Sequence, residues 1–348
     1  MSHSKTPRIG IIGCGAVTEW RHLPALAALH IAPALLVDTN VARARDFAKT
    51  FGARHVSDRY EPWAEEMDAA IVALPHHLHA PVSGDLLRRG IHVLVEKPMA
   101  VTSAEADAMV REAAGAGATL SVGLMRRFLN VNRWVKAVMD AGVLGTVESF
   151  RFEEGSVYGW PVASGFFFQK ATSGGGVLAD TGAHTLDLLL WWLGGVEVLE
   201  YADDSYGGVE ADCRIRLRLP GGAGGTVELS RTRKLGQKAM LQGSRGWIEV
   251  SLDERRLNSV TASNRSLLAA TGGGLRGDRL PAQVFQDLFV AQIEDWIEAI
   301  RGEKPPAVPG SEGARSVALI ETCYGRRQLL SHPWVRVPAS PSTERAQP

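Results

Sequence analysis

Apolar and polar residues alternate in two different ways along the chain, and the change falls near residue 124. Before it, short apolar runs without internal alternation are separated by stretches of helical periodicity, which is typical of parallel strands covered by helices on both faces. The pattern predicts strands at 8–13, 34–37, 69–74, 91–95 and 118–122, and helices at 17–29, 41–51, 81–89 and 103–116. It therefore indicates an α/β architecture with a doubly wound parallel sheet of the nucleotide-binding type.

After residue 124 the pattern indicates a second, mostly antiparallel sheet with one solvated face. Between Cys213 and Leu219, apolar and charged residues alternate singly, which places one set against a core and the other in water. We predict strands at 147–153, 196–201, 211–219, 225–231, 238–241 and 247–251, helices at 130–141, 181–193, 283–301 and 312–330, and a loop at 259–280. The expected domains are 1–124, to which a C-terminal helix returns, and 125–337, with a disordered tail at 338–348.

Composition narrows the class of ligand. The 348 residues include 38 basic and 38 acidic side chains, so we expect neither nucleic acid nor a membrane as partner, and a small molecule becomes the expected substrate. Cys14, Cys213 and Cys323 lie too far apart for a disulfide framework or a metal motif. Because no signal-type or membrane-spanning apolar run is found, we expect a cytoplasmic protein.

The first motif with chemical meaning follows the first predicted strand. Gly13 and Gly15 would let the backbone approach a pyrophosphate, with Ala16 and Val17 opening the next helix. Thr18 stands where such loops commonly have a third glycine. The alternative is a tight turn that binds no ligand.

Asp38 ends the second predicted strand and is followed by Thr39. Its carboxylate would accept both ribose hydroxyls of NAD and repel the 2′-phosphate of NADP. NADP stays possible, because Arg43 lies one helical turn further on. The alternative role for Asp38 is that of a helix N-cap.

Three histidines follow the strand predicted at 69–74, where the carboxyl ends of parallel strands bind ligands. We expect Leu74, Pro75, His76 and His79 to line the cofactor site. A metal site is the alternative, but no acidic or cysteine partner lies at ligand spacing, so we predict no metal.

Glu96-Lys97-Pro98 follows the strand at 91–95. We expect Glu96 and Lys97 beside the cofactor. A partly desolvated Lys97 amine would exchange a proton with a substrate hydroxyl while a hydride leaves the same carbon. A solvated surface lysine is the alternative.

A glycine triplet at 174–176 precedes a predicted helix that carries Asp180 and His184 on one face. These two residues are candidates for proton transfer. The alternatives are an N-cap role for Asp180 and a packed imidazole for His184, which Asp187 would orient one turn further on.

Taken together, the motifs resemble the glucose–fructose oxidoreductase / inositol dehydrogenase / MocA (Gfo/Idh/MocA) family over nearly the whole chain. The resemblance rests on Gly13-Cys14-Gly15, Glu96-Lys97-Pro98, the triplet with Asp180, His184 and Asp187, Gly243–Gly246 and Pro306–Gly310. It implies a Rossmann domain followed by an α+β domain whose large open sheet commonly forms a homodimer or homotetramer. It also implies an NAD(P)-dependent oxidoreductase that moves a hydride to or from a carbinol or keto carbon of a sugar, nucleotide sugar or cyclitol.

The resemblance further implies that Lys97 lies beside the nicotinamide and the substrate hydroxyl, and that Asp180 and His184 complete the proton-transfer site. In the family the histidine is usually the base, whereas the residues alone favour Lys97, so the division of labour stays open. His76 departs from the asparagine that usually fills its position. Alternatives are a cofactor-retaining enzyme, either a transient-oxidation glycosidase or a sugar–sugar oxidoreductase, and a non-catalytic sensor of sugar or NAD.

Substrate contacts are harder to predict. Tyr158, Trp160 and the phenylalanines at 166–168 are candidates for an apolar wall against a sugar ring. The alternative is that these aromatic residues only close the interface between domains. Arg127 is a candidate for contact with a substrate phosphate or carboxylate.

Overall fold

A parallel six-stranded sheet organises the first part of the chain. The computed structural model describes residues 6–159, 164–252, 260–264 and 283–330. The sheet has the order β3-β2-β1-β4-β5-β6, and the chain reverses its direction of travel across the sheet between β1 and β4, where such sheets bind ligands. Its strands are β1 (Ile9–Ile12), β2 (Leu35–Val37), β3 (His55–Ser57), β4 (Ala69–Val72), β5 (His92–Val95) and β6 (Leu120–Val122).

Helices cover both faces of this sheet, and they explain the unbroken apolar runs of its strands. They are α1 (Leu23–Ala28), α2 (Val41–Phe51), α3 (His79–Arg88) and α4 (Ser103–Ala116). The predicted bounds of α2 and α4 are confirmed, because Asn40 caps α2 and a Thr102–Glu105 capping box begins α4. The helix predicted from residue 17 differs, since a π-helical turn at Thr18–His22 precedes α1.

A mixed eight-stranded sheet forms the second layer, in the order β13-β12-β11-β7-β10-β9-β8-β14. Most neighbours are antiparallel, but β7 with β10 and β8 with β14 are parallel. In β9 the apolar residues are buried and the arginines are exposed, as the alternation predicts. The strands are β7 (Val147–Gly155), β8 (Glu197–Asp203), β9 (Asp212–Arg218), β10 (Gly224–Ser230), β11 (Lys238–Gly243), β12 (Gly246–Ser251), β13 (Val260–Asn264) and β14 (Arg327–Leu329).

The remaining helices join the two sheets. They are α5 (Asn130–Asp140), α6 (Lys170–Ser173), α7 (Thr181–Leu193), α8 (Phe285–Ile300) and α9 (Gly310–Gly325). Near the end of the chain, α8 packs on α1, and α9 packs on α4 and α7. Both sheets therefore share one continuous set of buried apolar contacts. In the described ranges, no helix has the length and apolar character needed to cross a bilayer.

Three predictions need correction. The helix predicted to run to residue 330 ends at Gly325, because the next residues pair with β8 as strand β14. The loop predicted at 259–280 contains β13, which pairs with β12. The edge strand β3 was missed, since its three residues are half-exposed and form no apolar run. The rest of that loop after 264, Trp160 and the tail at 338–348 lie outside the described residues.

Candidate active site

The turn after β1 passes so close to the end of β4 that only glycine fits at position 13. Gly13 has φ +102°, and a Cβ added there would lie 2.1 Å from the carbonyl oxygen of Ala73. From the other side, the Thr18 hydroxyl donates to the Gly13 carbonyl at 2.6 Å. At Gly15, by contrast, an added Cβ would have no atom of the described residues within 4 Å. The backbone at Gly15 thus has the open approach that a pyrophosphate needs.

Asp38 faces this turn from the end of β2. Its carboxylate accepts hydrogen bonds from the backbone N–H of Cys14 at 2.8 Å and of Asn40 at 2.7 Å. The N-cap role is wrong, because the Asn40 side chain caps α2 by accepting from the Arg43 N–H. The Arg43 guanidinium donates to Glu19 at 2.8 Å, so its charge already has a partner.

Most residues predicted to touch the cofactor keep exposed surface at this edge of the sheet. This edge offers three features that a dinucleotide needs, which are an open glycine turn, the start of a helix and the Asp38 carboxylate beside that turn. These features lie together after the carboxyl ends of the neighbouring strands β1, β2 and β4. The residues with exposed surface are Gly15, Ala16, Val17, Asp38, Thr39, Leu74 and Pro75.

The side chains of the three histidines after β4 form hydrogen bonds with backbone carbonyl groups of other segments. The Nδ1 of His76 lies 2.8 Å from the Ser173 carbonyl oxygen, and the Nδ1 of His77 lies 3.2 Å from that of Thr172. Burial lowers the pKa of His76 to about 3, so its ring is neutral. The loop after β4 is thereby tied to α6 in the second domain. Among the described residues, no cluster of His, Cys, Asp and Glu has the arrangement of a metal site.

His79 and Glu96 lie behind the cofactor edge rather than on it. The two ring nitrogens of His79 lie 2.8 Å from the Pro98 carbonyl oxygen and 2.7 Å from that of Leu74. Since both nitrogens of this fully buried ring are engaged, its predicted cofactor contact is replaced by a structural role. The buried Glu96 carboxylate accepts from His22 at 2.8 Å and from the Lys97 N–H at 3.2 Å.

Glu96 stays charged although it is buried. Burial would raise the pKa of its carboxyl, but the hydrogen bond from His22 and the charges of His22 and Lys97 hold that pKa below its usual value. Because His22 belongs to the π-helical turn, this pair joins the helix after the glycine turn to the end of β5. Glu96 therefore fixes the backbone from which Lys97 extends.

Lys97 meets Asp180 across the boundary between the two domains. The Lys97 Nζ lies 2.5 Å from Asp180 Oδ1, and the other carboxylate oxygen accepts from Arg231 Nη2 at 2.7 Å. Burial would raise the pKa of Asp180, but the Lys97 and Arg231 cations outweigh it and hold that pKa well below its usual range. Asp180 occupies the N-cap position of α7, yet its side chain makes no capping hydrogen bond. The carboxylate binds the two cations instead.

The glycine triplet packs on a buried carboxylate that positions Asp180. A Cβ added at Gly176 would lie 1.9 Å from the carbonyl oxygen of Glu210. The Glu210 carboxylate accepts from the backbone N–H of Gly176 at 2.8 Å, from that of Leu178 at 3.0 Å and from the Tyr324 hydroxyl at 2.8 Å. These bonds hold the turn that leads Asp180 into α7. No motif in the sequence marked Glu210.

His184 lies one turn further along α7 and is only 6% exposed. Burial lowers its pKa well below the usual value, and the nearby cations of Lys97 and Arg126 lower it further. The ring is therefore neutral, and its Nδ1 has no hydrogen-bond partner among the residues that the structure describes. A neutral imidazole is suited to accept a proton.

Arg127 and Asp187 form a structural pair, which changes two expectations. The Arg127 guanidinium donates to both Asp187 oxygens, at 2.9 Å and 2.5 Å, and to Glu312 of α9 at 2.9 Å. Asp187 therefore does not orient His184. Because Arg127 is buried and its Nε and Nη2 donate to carboxylates, the structure gives no support to its predicted contact with a substrate.

Aromatic residues adjoin the Lys97–Asp180–Arg231 cluster. The Tyr158 ring lies 4.8 Å from the Arg231 guanidinium, and its buried hydroxyl has no hydrogen-bond partner in the described part of the chain. Burial raises the pKa of Tyr158 to about 12, so the hydroxyl keeps its proton. Phe166 contacts Phe167 with ring centroids 3.9 Å apart and the rings tilted by 32°, and His76 meets Phe166 edge-on at 5.2 Å.

Sequence reasoning missed Arg231. It directly follows β10 and reads as the start of an ordinary basic run, Arg231 to Lys234. Only the folded sheet brings that strand end to the carboxylate of Asp180. Its side chain is 9% exposed, which is unusual for an arginine and requires a partner.

Known proteins resemble this chain in sequence and in fold. Residues 7–124 match the family described as "Oxidoreductase family, NAD-binding Rossmann fold", and residues 132–249 match the "GFO/IDH/MocA C-terminal domain". The chain is 30% identical over 302 residues to a dTDP-3,4-didehydro-2,6-dideoxy-alpha-D-glucose 3-reductase of Streptomyces violaceoruber, covering 84% of this chain and 85% of that protein. It is 26% identical over 341 residues to the rhizopine catabolism protein MocA of Rhizobium meliloti, covering 93% and 95%.

The fold also matches solved structures. An aldose–aldose oxidoreductase from Caulobacter crescentus, complexed with glycerol, superimposes with a TM-score of 0.78 at 25% identity, over 91% of this chain and 96% of that one. The predicted pair of sheets, one parallel and one mostly antiparallel, is confirmed. The chain belongs to the Gfo/Idh/MocA family of NAD-binding oxidoreductases.

Proposed function

We propose that the protein is an NAD-dependent dehydrogenase or ketoreductase that interconverts a secondary alcohol and a ketone on a sugar, nucleotide sugar or cyclitol. The observation that carries this proposal is the meeting of Lys97, Asp180 and neutral His184 at the carboxyl edge of the parallel sheet. The open turn at Gly15 and the Asp38 carboxylate lie along the same edge. Ligands of such sheets bind at this edge.

The residues of the chain account for the proton in this reaction. When bound, NAD supplies the hydride acceptor, and NADH the hydride donor. As the carbinol C–H bond breaks and the C=O bond forms, the hydroxyl proton passes to a base. The neutral imidazole of His184 can take that proton, and the Lys97 ammonium, held by Asp180, donates a hydrogen bond to the same oxygen and can share the proton.

The substrate class is supported by the chemistry of the pocket wall. Tyr158 and the contacting pair Phe166–Phe167 present aromatic surface next to the charged cluster, and sugar rings pack their C–H faces on such surface. The related 3-reductase and the aldose oxidoreductase are named for sugar substrates.

For the cofactor we propose NAD rather than NADP. Asp38 presents a carboxylate where the adenosine ribose would lie, and a 2′-phosphate would be repelled by it. Arg43, the cation that could offset this repulsion, is paired with Glu19. Gly15, Ala16 and Val17 would hold the pyrophosphate.

A screen of purified protein tests the activity. Reduction of NAD and NADP is followed by absorbance across sugars, cyclitols and nucleotide sugars, and the product ketone is identified by mass spectrometry. Lys97→Met and His184→Ala should each lower turnover by about 100-fold or more. Lys49→Met is the matched control, because Lys49 is a surface lysine with 76% of its side chain exposed. Full activity in both site variants would refute the assignment.

A cofactor-retaining sugar–sugar oxidoreductase is the second candidate, and the similarity to the aldose–aldose oxidoreductase favours it. This enzyme would carry stoichiometric nicotinamide through purification and convert one sugar while reducing another. Sugars given singly would then produce no lasting absorbance change, whereas an aldose and a second aldose together would react. Release of free NADH by single substrates favours the dehydrogenase instead.

We also propose that the protein acts in the cytoplasm as a homodimer or homotetramer that pairs through the eight-stranded sheet. Cys14, Cys213 and Cys323 are buried free thiols, as a reducing compartment allows. The outer face of the sheet carries cross-strand ion pairs such as Arg216–Glu200 and Arg218–Glu197, which an interface of polar character would include. Light scattering of the purified protein measures the number of subunits.

A further inference from the structure

Asp180 lies between two cations, and each cation holds a different carboxylate oxygen. Lys97 Nζ lies 2.5 Å from Oδ1, and Arg231 Nη2 lies 2.7 Å from Oδ2. We infer that Arg231 is the permanent counter-ion of Asp180, so that Lys97 can give up its proton or move to the substrate while Asp180 stays compensated. The inference rests on the proposed function insofar as Lys97 takes part in proton transfer.

The position of Arg231 is fixed from several sides. Its backbone N–H donates to the Ala211 carbonyl at 2.8 Å, and its own carbonyl accepts from the Tyr158 N–H at 2.9 Å. The guanidinium lies 4.8 Å from the centroid of the Tyr158 ring, at a distance suited to a cation–π contact. With 9% of its side chain exposed, Arg231 is held against Asp180 by backbone and side chain together.

The two cations differ in chemistry. An arginine keeps its proton at any pH at which an enzyme works, whereas a lysine amine can lose one. The fixed charge beside Asp180 is therefore Arg231, and the variable one is Lys97. Arg231 acts on the reaction through Asp180, which makes it a positioning residue.

Asp180 needs a second counter-ion because its carboxylate is buried. Asp180 is 17% exposed, and a buried carboxylate that loses its only counter-ion carries a large desolvation penalty. If Lys97 were that only counter-ion, it could not become neutral without leaving Asp180 uncompensated. With Arg231 in place, Asp180 keeps one ion pair throughout. The charged and titratable groups that act on Asp180 or stand beside it are Lys97, Arg231, His76, His184 and Tyr158.

Chemical labelling of Lys97 tests this without any substrate. Acetic anhydride reacts only with a neutral amine, and Lys97, with 17% of its side chain exposed, can be reached by this small reagent. The acetylation rate of Lys97 is measured by peptide mass spectrometry relative to Lys49 in the same molecule. In Arg231→Gln we expect Lys97 to react about tenfold more slowly than in the wild type, since it becomes the sole counter-ion of Asp180. Arg231→Lys, which keeps a cation, should stay within about twofold of the wild type.

Equal Lys97 rates in the wild type and Arg231→Gln would overturn the inference. An equal slowing in Arg231→Lys would overturn it too, because the charge would then not be the cause. NAD binding verifies that each variant folds, and Arg231→Met, which fills the volume beside Tyr158, replaces the glutamine variant if that one does not fold. Because labelling needs no substrate, it tests the role of Arg231 even if the activity screen finds no substrate. A negative labelling result likewise leaves the activity screen as a separate test of the proposed function.

The pH dependence of turnover distinguishes a loss of charge beside Asp180 from structural damage in the Arg231 variants. Once a substrate is known, turnover of Arg231→Gln should fall at low pH more than at high pH, because Asp180 has lost one of the two cations that keep it ionised. The acid limb of its pH profile moves towards neutral pH, and Arg231→Lys restores the wild-type limb. A uniform loss of turnover at every pH would contradict this expectation.

Discussion

Replacement of Arg127 by methionine tests whether this arginine holds the fold together or binds the substrate. Its guanidinium donates to both oxygens of Asp187, at 2.9 Å and 2.5 Å, and to Glu312 at 2.9 Å. Asp187 is only 1% exposed, so the variant leaves a buried carboxylate without its cation. Breaking a buried ion pair costs about 3–5 kcal/mol, and we expect Arg127→Met to lose free energy of unfolding in that range.

The loss should grow with pH. Burial raises the pKa of Asp187 in the native protein, and the hydrogen bonds from Arg127 oppose that rise. Without them, the folded variant keeps a proton on Asp187 that the unfolded chain releases above about pH 4. The folded state then binds more protons than the unfolded state, so its stability falls as the pH rises through the folded-state pKa.

Urea unfolding at about pH 5 and about pH 8 measures both effects, and the larger loss is expected at the higher pH. Arg127→Met combined with Asp187→Leu should recover most of the stability, because neither charge remains buried. Arg89→Met, which breaks an exposed pair with Asp85 away from the eight-stranded sheet, is the matched control and should cost no more than about 1 kcal/mol. An unchanged unfolding midpoint together with a tenfold higher KM would show that Arg127 is a substrate ligand, and would refute the structural role.

Three further predictions concern the cofactor edge and Glu96 behind it. Gly13→Ala should lower the free energy of unfolding by at least about 2 kcal/mol, because its Cβ would meet the Ala73 carbonyl oxygen at 2.1 Å. Gly15→Ala should leave the urea midpoint unchanged and weaken NAD binding about tenfold in a fluorescence titration. The reverse pattern would contradict the assignment of the two glycines. Asp38→Ser should bring the Kd for NADP within about tenfold of that for NAD, and an unaltered preference would exclude Asp38 as the ribose ligand. Glu96→Gln should reduce the free energy of unfolding by about 1–3 kcal/mol, because the partner of buried His22 loses its charge. Since the pKa of Glu96 is lowered in the fold, this difference in stability between the wild type and the variant should vanish as the pH falls below about 4.

The sequence was a good guide wherever one local signal decided the structure. The bounds of α2 and α4 follow from capping side chains, those of α7 from an apolar run that ends before Gly194, and β9 follows from single alternation. The strand β14 could not be predicted, because its three residues continue a helical pattern and become a strand only by pairing with β8. The π-helical turn before α1 likewise leaves no mark in the sequence.

The candidate site divides in the same way. Lys97, Asp180 and His184 were found because they stand in short motifs, although their proximity depends on the packing of the two domains. Arg231 lies 51 residues from Asp180 along the chain and in no motif. The pairing of Arg127 could not be predicted, because its partner Glu312 comes from a helix 185 residues away along the chain. Both pairs join residues far apart in the sequence, and only the folded structure shows that they are in contact.

The most direct test of the central claim compares cofactor binding with turnover in the same variants. The Kd for NADH is measured by fluorescence, and turnover is measured on the best alcohol from the substrate screen, for the wild type, Lys97→Met, His184→Ala and the control Lys49→Met. We predict that both site variants bind NADH within about threefold of the wild type and lose about 100-fold or more in turnover. Turnover that survives in both, or that falls only because NADH no longer binds, would contradict a proton-transfer site built from Lys97, Asp180 and His184.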